Sequence, residues 1–125
     1  METHRLRTID ELESIHGGHV KLAGADLGVE AFGMQVLDLP AGFPYPEHDH
    51  TEDGQEEVYV VLRGTAEFRI DGDLVQVGPG SMLRVPPSSR RSVAPGTDGV
   101  RILAVGCATG GAYERPEDFR LAARS

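Results

Sequence analysis

Residues 42 to 64 decide the fold of this chain, and they read G-F-P-Y-P-E-H-D-H-T-E-D-G-Q-E-E-V-Y-V-V-L-R-G. His48 and His50 are two positions apart, and on a β-strand such residues point to the same face of the sheet. A polar turn follows, and a second strand is predicted from Glu56 and Glu57 through Leu62. If the second strand folds back antiparallel, it places a carboxylate opposite the two imidazoles.

Two neutral imidazoles and one carboxylate form a metal-binding set that leaves coordination positions open. This donor set suits Fe(II), Mn(II), Ni(II), Cu(II) or Zn(II), because imidazole and carboxylate are ligands that these ions share. The stretch therefore predicts a divalent transition metal as the cofactor, without selecting its identity.

The spacing of this stretch resembles the first motif of the cupin family, which is a Gly, five residues, His-x-His, a short gap, a Glu, six residues and a Gly. Gly42 is followed by five residues and then by the His pair of residues 48–50, and Glu57 is followed by six residues and then by Gly64. The resemblance therefore selects Glu57 rather than Glu56 as the third metal ligand. The gap between the second His and the Glu is six residues here, where the basic motif has three or four. The polar turn between the strands can absorb the difference.

The second motif of the family is degraded. It consists of a Gly, five residues, a Pro, one residue, a Gly, two residues, a His, three residues and an Asn. In this chain its named positions are held, in order, by Gly80, Pro86, Ser88, Arg91 and Pro95. The family's His is the usual fourth protein ligand, whereas an arginine is always protonated and cannot coordinate a metal. The resemblance covers roughly residues 20 to 105.

Three interpretations of Arg91 follow. In the first, the three predicted ligands hold a metal, and Arg91 lies beside it and binds a carboxylate or phosphate of the substrate with its planar fork. In the second, Arg91 pairs with Glu57, and this salt bridge replaces the metal. In the third, Arg91 points to solvent and Arg90 takes its place.

Other residues near the motifs have a predicted location. Tyr59 shares the strand parity of Glu57, so it is expected to face the barrel interior. There its hydroxyl either donates a hydrogen bond to a ligand or packs in the core with a backbone partner. Glu52 and Asp53 are predicted to belong to a solvated loop. Cys107 follows the last predicted strand and is interpreted as a small hydrophobic residue.

Composition indicates a small protein built from strands. The chain has 125 residues, which suits one domain, and its 16 Gly and 8 Pro separate short apolar runs, as in β-sandwiches and barrels. The net charge of −8 argues against a nucleic-acid partner. No apolar run approaches the roughly 18 residues of a membrane span. The single cysteine and the absence of an apolar leader predict a cytoplasmic protein.

The predicted fold class is all-β, a single-domain cupin jelly-roll barrel with short N- and C-terminal helical segments. The barrel core is expected at about residues 20–106, with an N-terminal arm at 1–19 and a C-terminal tail at 107–125. A capping-box pattern predicts a helical turn over residues 8–16. A proline followed by two acidic residues predicts a short helix over residues 114–123.

The resemblance implies a small metal-binding protein. One hypothesis is a metal-dependent enzyme, dioxygenase-like or isomerase-like, that acts on a small anionic metabolite, with the metal serving as a Lewis acid or binding O2. The alternative is a non-catalytic binding or sensor protein in which an Arg91–Glu57 pair replaces the metal site. A third hypothesis is a structural protein in which that pair is simply packed. The family also implies a homodimer.

Overall fold

The computed structural model describes residues 3–122, and strands dominate it. The helical elements are α1 (Ala23–Leu27) and two 3-10 turns at Ile9–Glu11 and Glu117–Phe119. The strands are β1 (Ser14–Ile15), β2 (Val20–Lys21), β3 (Gly33–Leu39), β4 (Gln55–Ile70), β5 (Asp73–Val77), β6 (Met82–Val85) and β7 (Arg91–Ala108). The all-β prediction is confirmed.

The terminal segments are less helical than predicted. The turn expected over residues 8–16 is a 3-10 turn of three residues, and the chain then enters β1. The short helical segment predicted over residues 114–123 is present, but it is shorter than expected and covers only the 3-10 turn Glu117–Phe119. Helices this short are marginal unless they pack against the protein. Residue 123, the last of the predicted helix, lies outside the described residues.

The strands pair antiparallel in the order β1-β2-β3-β7-β4-β5, and β6 adds to β4. The first part of β4 pairs with the last part of β7, and the last part of β4 pairs with the first part of β7. Register shifts interrupt this ladder near residues 61–66. β6 extends one half of β4, and β5 extends the other.

β4 folds over itself between these two halves. The ring centroids of Tyr59 and Phe68 are 5.0 Å apart, although nine residues of straight strand would span about 30 Å. The bend places the two halves of β4 in facing layers, as in a jelly roll. Tyr59 is 1% exposed, so the parity prediction that it faces the interior is confirmed, and Val61, two residues further on, is 2% exposed.

Apolar side chains from both layers fill the barrel. Leu39 on β3, Val85 on β6 and Ile102 on β7 are at most 2% exposed. Outside the barrel, the segment before β1 packs Leu12 against Val36 of β3, which covers part of the outer face of the sheet. Within residues 3–122, no helix combines the length and the apolar character that a membrane crossing needs.

The two glycines of the first motif allow a matched test of the fold, since both have positive φ, +78° at Gly42 and +76° at Gly64. A Cβ at Gly42 would meet nothing within 4 Å, whereas a Cβ at Gly64 would overlap the carbonyl oxygen of Gly99. Gly42→Ala should therefore cost only the left-handed strain, about 1–2 kcal/mol. Gly64→Ala should cost clearly more in the free energy of unfolding, as measured by urea denaturation. Equal losses of stability in the two variants would contradict the close backbone contact between Gly64 and Gly99.

Candidate metal centre

Main-chain hydrogen bonds hold the histidine segment against the barrel. The N–H of His48 donates to the carbonyl of Arg91 (2.9 Å), and the N–H of Arg91 donates to the carbonyl of His48 (2.8 Å). The N–H of His50 donates to the carbonyl of Pro87 (2.9 Å). The strand predicted through the two histidines is therefore reduced to one isolated bridge between His48 and Arg91. Residues directly opposite in an antiparallel pair point to the same face, so this bridge sends both side chains toward one site.

The structure brings the three predicted ligands together. One side-chain ligand atom each from His48, His50 and Glu57 lies within 4.8 Å of the others, and all three residues are half-buried. Glu57 is near the start of β4, opposite Gly106 of β7. A Cβ at Gly106 would lie 3.0 Å from Cγ of Glu57, so the missing side chain leaves room for the carboxylate.

Hydrogen bonds fix the imidazoles in the form that a metal requires. Nδ1 of His48 lies 3.2 Å from the carbonyl oxygen of Pro46, and Nδ1 of His50 lies 3.0 Å from the carboxylate of Asp53. These oxygens accept hydrogen bonds, so each Nδ1 carries a proton. In a neutral ring, each Nε2 is then the atom whose lone pair can bind a metal, whereas a proton on Nε2 of His50 lets that atom donate to Glu57 in the metal-free protein. A carbonyl or carboxylate behind the imidazole is the usual second layer around a metal-bound histidine.

The contact between His50 and Glu57 tests whether a cation fits. Nε2 of His50 and Oε1 of Glu57 are 3.1 Å apart. With Nδ1 already protonated, these atoms face each other as two acceptors unless a proton or a metal ion lies between them. A separation of about 3 Å is also that of two ligands at right angles on a metal with bonds of about 2.1 Å. The residues present therefore fit a divalent transition metal.

Glu57 is held ionised in this position. Burial raises its pKa, but hydrogen bonds from His50 and Tyr59 and the nearby positive charges outweigh that effect, so the pKa lies below its usual value. The hydroxyl of Tyr59 donates to Oε1 of Glu57 at 2.6 Å. Burial and the negative charge of Glu57 raise the pKa of Tyr59, so the hydroxyl keeps the proton that it donates. Tyr59 was predicted to donate a hydrogen bond to a ligand or to a backbone group, and in this structure it donates to the side chain of Glu57.

Arg91 is a fully buried cation beside this cluster. Its exposed fraction is 0%, and its Nη2 donates to the carbonyls of Pro86 (3.2 Å) and Val85 (3.5 Å). Nη2 also lies 3.8 Å from Oε1 of Glu57. Nε and Nη1 have no hydrogen-bond partner among the described residues. Buried polar groups are normally paired, and a buried charge with unpaired donors is costly unless a ligand or water completes it.

These contacts separate the three interpretations of Arg91. The third is wrong, because Arg91 is buried whereas Arg90 is exposed and binds Glu47 (3.0 Å) and Asp49 (3.3 Å) on the outside. The second finds Arg91 within ion-pair distance of Glu57, but 3.8 Å is too long for a hydrogen bond. The first interpretation, a metal site with Arg91 beside it, agrees with the structure, because the guanidinium lies next to the cluster of the three predicted ligands.

Two neighbours of the site were not identified from the sequence. The ring of Tyr45 lies 5.8 Å from that of His48, and burial and the charge of Glu57 raise the pKa of Tyr45. Asp53 is exposed, as predicted for a solvated loop, and its carboxylate also lies 3.0 Å from Nδ1 of His50. The turn that Gly54 closes by donating to the carbonyl of His50 (2.8 Å) brings Asp53 there. That glycine is the signal in the sequence that indicated the turn.

Fold and site together define a small β-barrel protein with a candidate centre for a divalent transition metal. The family model of the cupin domain matches residues 35–106, which is more than half of the chain, and the protein belongs to the cupin family. A solved cupin protein from Bacteroides fragilis aligns over 100% of both chains with a TM-score of 0.70 at 20% identity, a likeness of fold.

A second relative is an enzyme. The chain is 36% identical over 58 residues to the dimethylsulfoniopropionate lyase DddQ of Ruegeria pomeroyi, a match that spans 46% of this chain and 27% of the lyase. The solved structure of that lyase aligns with a TM-score of 0.55 at 28% identity, over 62% of this chain and 38% of the lyase chain. This chain therefore spans about a quarter of the length of the curated relative that it matches.

The hydrogen bond from Tyr59 to Glu57 should stabilise the metal-free fold. Tyr59→Phe removes a donor to a buried carboxylate, and we expect a loss of about 1.5–3 kcal/mol in the free energy of unfolding. Tyr45→Phe is the matched control, because Glu57 takes its side-chain hydrogen bonds from His50 and Tyr59. Urea unfolding in the presence of a chelator measures both variants. A Tyr59→Phe protein as stable as the control would show that this contact contributes nothing.

Proposed function

We propose that this cupin is a metal-dependent enzyme that acts on a small anionic metabolite with dioxygenase-like or isomerase-like chemistry. His48, His50 and Glu57 would hold the metal, and Arg91 would bind the anionic group of the substrate. When bound, the metal would supply Lewis-acid chemistry or, if it is redox-active, reaction with dioxygen. The chain's own residues would orient the substrate and keep its charged group out of bulk water.

The observation that carries this proposal is the state of Arg91. A guanidinium that is 0% exposed has two nitrogens without a hydrogen-bond partner among residues 3–122, and it lies 3.8 Å from a predicted metal ligand. A planar cation with unused donors next to a metal site is a receptor for carboxylate or phosphate. An anion in this place also reduces the repulsion between the arginine and the metal.

The competing function, a metal-free binding protein, needs a closed pair of Arg91 and Glu57. The contact at 3.8 Å does not form a hydrogen bond, and Glu57 lies closer to His50, at 3.1 Å. The unpaired nitrogens of Arg91 give no support to a closed pair. The lyase among the relatives has a name that specifies a substrate with a carboxylate, which is in keeping with an anion at Arg91.

The organisation of the protein is part of the same proposal. We propose that residues 1–125 form a single cupin domain that works in the cytoplasm as a homodimer. Leu62 on β4 and Met82 on the neighbouring β6 are 41% and 73% exposed, and a second copy would cover such apolar side chains. Cys107 is a free thiol, in keeping with a reducing compartment.

Metal content tests the proposed centre directly. Protein purified without an affinity tag and incubated with Mn(II), Fe(II) or Zn(II) should hold about one ion per chain by elemental analysis. The His48→Ala/His50→Ala double variant should hold none, because it loses two of three ligands. The His4→Ala/His16→Ala double variant removes two exposed histidines and should keep the ion.

Two results would contradict this assignment. The first is wild-type protein that binds no divalent ion, together with small-molecule binding that survives a chelator, which would favour the metal-free binding protein. The second is metal retained in the His48→Ala/His50→Ala variant at the level of the control, which would place the metal elsewhere.

A further inference from the structure

We propose that the metal and Arg91 bind the same carboxylate group, so that the substrate's own carboxylate takes the coordination position for which this chain supplies no fourth protein ligand. This inference rests on the proposed function and narrows its substrate class to small carboxylates that are bound through one head group. Arg91 would then bind the same carboxylate that binds the metal, and not a second charged group at the other end of the substrate.

The first argument is distance. Nη2 of Arg91 lies 3.8 Å from Oε1 of Glu57, the oxygen that faces Nε2 of His50. An ion held by that oxygen lies about 2.0–2.2 Å from it, so the ion and Nη2 are no more than about 6 Å apart. A carboxylate with one oxygen on the ion and the other accepting a charged hydrogen bond covers up to about 7 Å. One head group would therefore reach from the ion to the guanidinium, whose two unpaired nitrogens, Nε and Nη1, belong to the same planar group as Nη2.

The second argument is the direction of the side chain. The paired hydrogen bonds between His48 and Arg91 make these residues direct neighbours across an antiparallel bridge, and such neighbours point to the same face. The guanidinium of Arg91 thus extends from the start of β7 toward the site, next to His48. Its contacts to the carbonyls of Val85 and Pro86 occupy Nη2 and leave Nε and Nη1 available.

The third argument is the supply of donors, which favours carboxylate over phosphate. The Nδ1 atoms of both histidines are engaged with other acceptors, and the hydroxyl of Tyr59 is used by Glu57. Among the described residues, the unused buried side-chain donors of the site are on Arg91. A phosphate brings more oxygens than a carboxylate, and in a buried site those without a donor carry a desolvation cost.

Coupled binding tests this inference on the full chain, with Zn(II) as the metal and acetate as the carboxylate. Acetate should raise the affinity for Zn(II) at least about fivefold, and Zn(II) should raise the affinity for acetate by the same factor, because coupling between two ligands is reciprocal. Isothermal titration with each ligand in the presence and absence of the other measures both factors. Arg91→Leu should keep Zn(II) binding and lose the coupling.

The outcomes separate this inference from the proposed function. Wild-type protein that binds no Zn(II) overturns the proposed function and this inference with it. Zn(II) that binds with an affinity that acetate does not change overturns this inference alone, as does coupling that persists in Arg91→Leu. Coupling to glutarate without coupling to acetate would show that Arg91 holds a remote carboxylate, and equal coupling to inorganic phosphate would overturn the assignment to carboxylates.

A second variant guards against misfolding. Arg91→Leu removes a buried charge, and its thermal melting curve shows whether it folds. If it does not fold, Arg91→Lys keeps the charge but replaces the planar fork by a point charge, and the coupling to acetate should then fall by at least about threefold. Undiminished coupling to acetate in a folded Arg91→Lys protein would overturn the shared carboxylate.

Discussion

The site depends on one pair of main-chain hydrogen bonds, those between His48 and Arg91 at 2.9 and 2.8 Å. The connection between β3 and β4 forms no strand of its own among the described residues, so this bridge, together with the hydrogen bond from His50 to the carbonyl of Pro87, holds the two histidines against the barrel. With the bridge, His48 is aligned antiparallel to Arg91 at the start of β7. The side chains of both bridged residues then face the same region of the barrel, where Glu57 arrives from β4.

The polar groups around Glu57 are not all hydrogen-bonded within the described residues, and the unpaired atoms are Nε and Nη1 of Arg91. One carboxylate receives the hydroxyl of Tyr59, faces Nε2 of His50 and lies near the guanidinium of Arg91. It hydrogen-bonds the first two and leaves the arginine unsatisfied. A core that keeps a buried cation in this state is poorly designed for stability alone, since an apolar side chain of similar volume often costs less. Binding of an anion explains the arrangement better than packing does.

Much of this could be predicted from the sequence, and the successes share one physical basis. Strand parity fixes which side chains share a face, so the interior position of Tyr59 followed from spacing. The choice of Glu57 as the third ligand came from the resemblance to the family motif. The failures depend on contacts between distant segments. The helix expected near Pro116 is only a 3-10 turn at Glu117–Phe119, although Phe119 packs against the core. Asp53 reaches His50 through a turn whose direction no periodicity encodes. Arg91 could be placed at the site, but its burial and unpaired nitrogens are properties of the folded barrel.

An arginine at the position of the family's histidine replaces a group that can bind a metal by a group that can bind an anion. A neutral imidazole donates a lone pair to a metal, whereas a guanidinium donates protons and carries a permanent positive charge. Under the proposed function, the backbone position that the bridge to His48 fixes would therefore offer a receptor for an anion bound to the metal, instead of a ligand of the metal. A metal with three protein ligands beside a buried cation is held less firmly until an anion joins it, because the anion offsets the repulsion of both positive groups. If the centre holds a metal as proposed, the absence of a fourth protein ligand would make its occupancy depend on the compound that it binds.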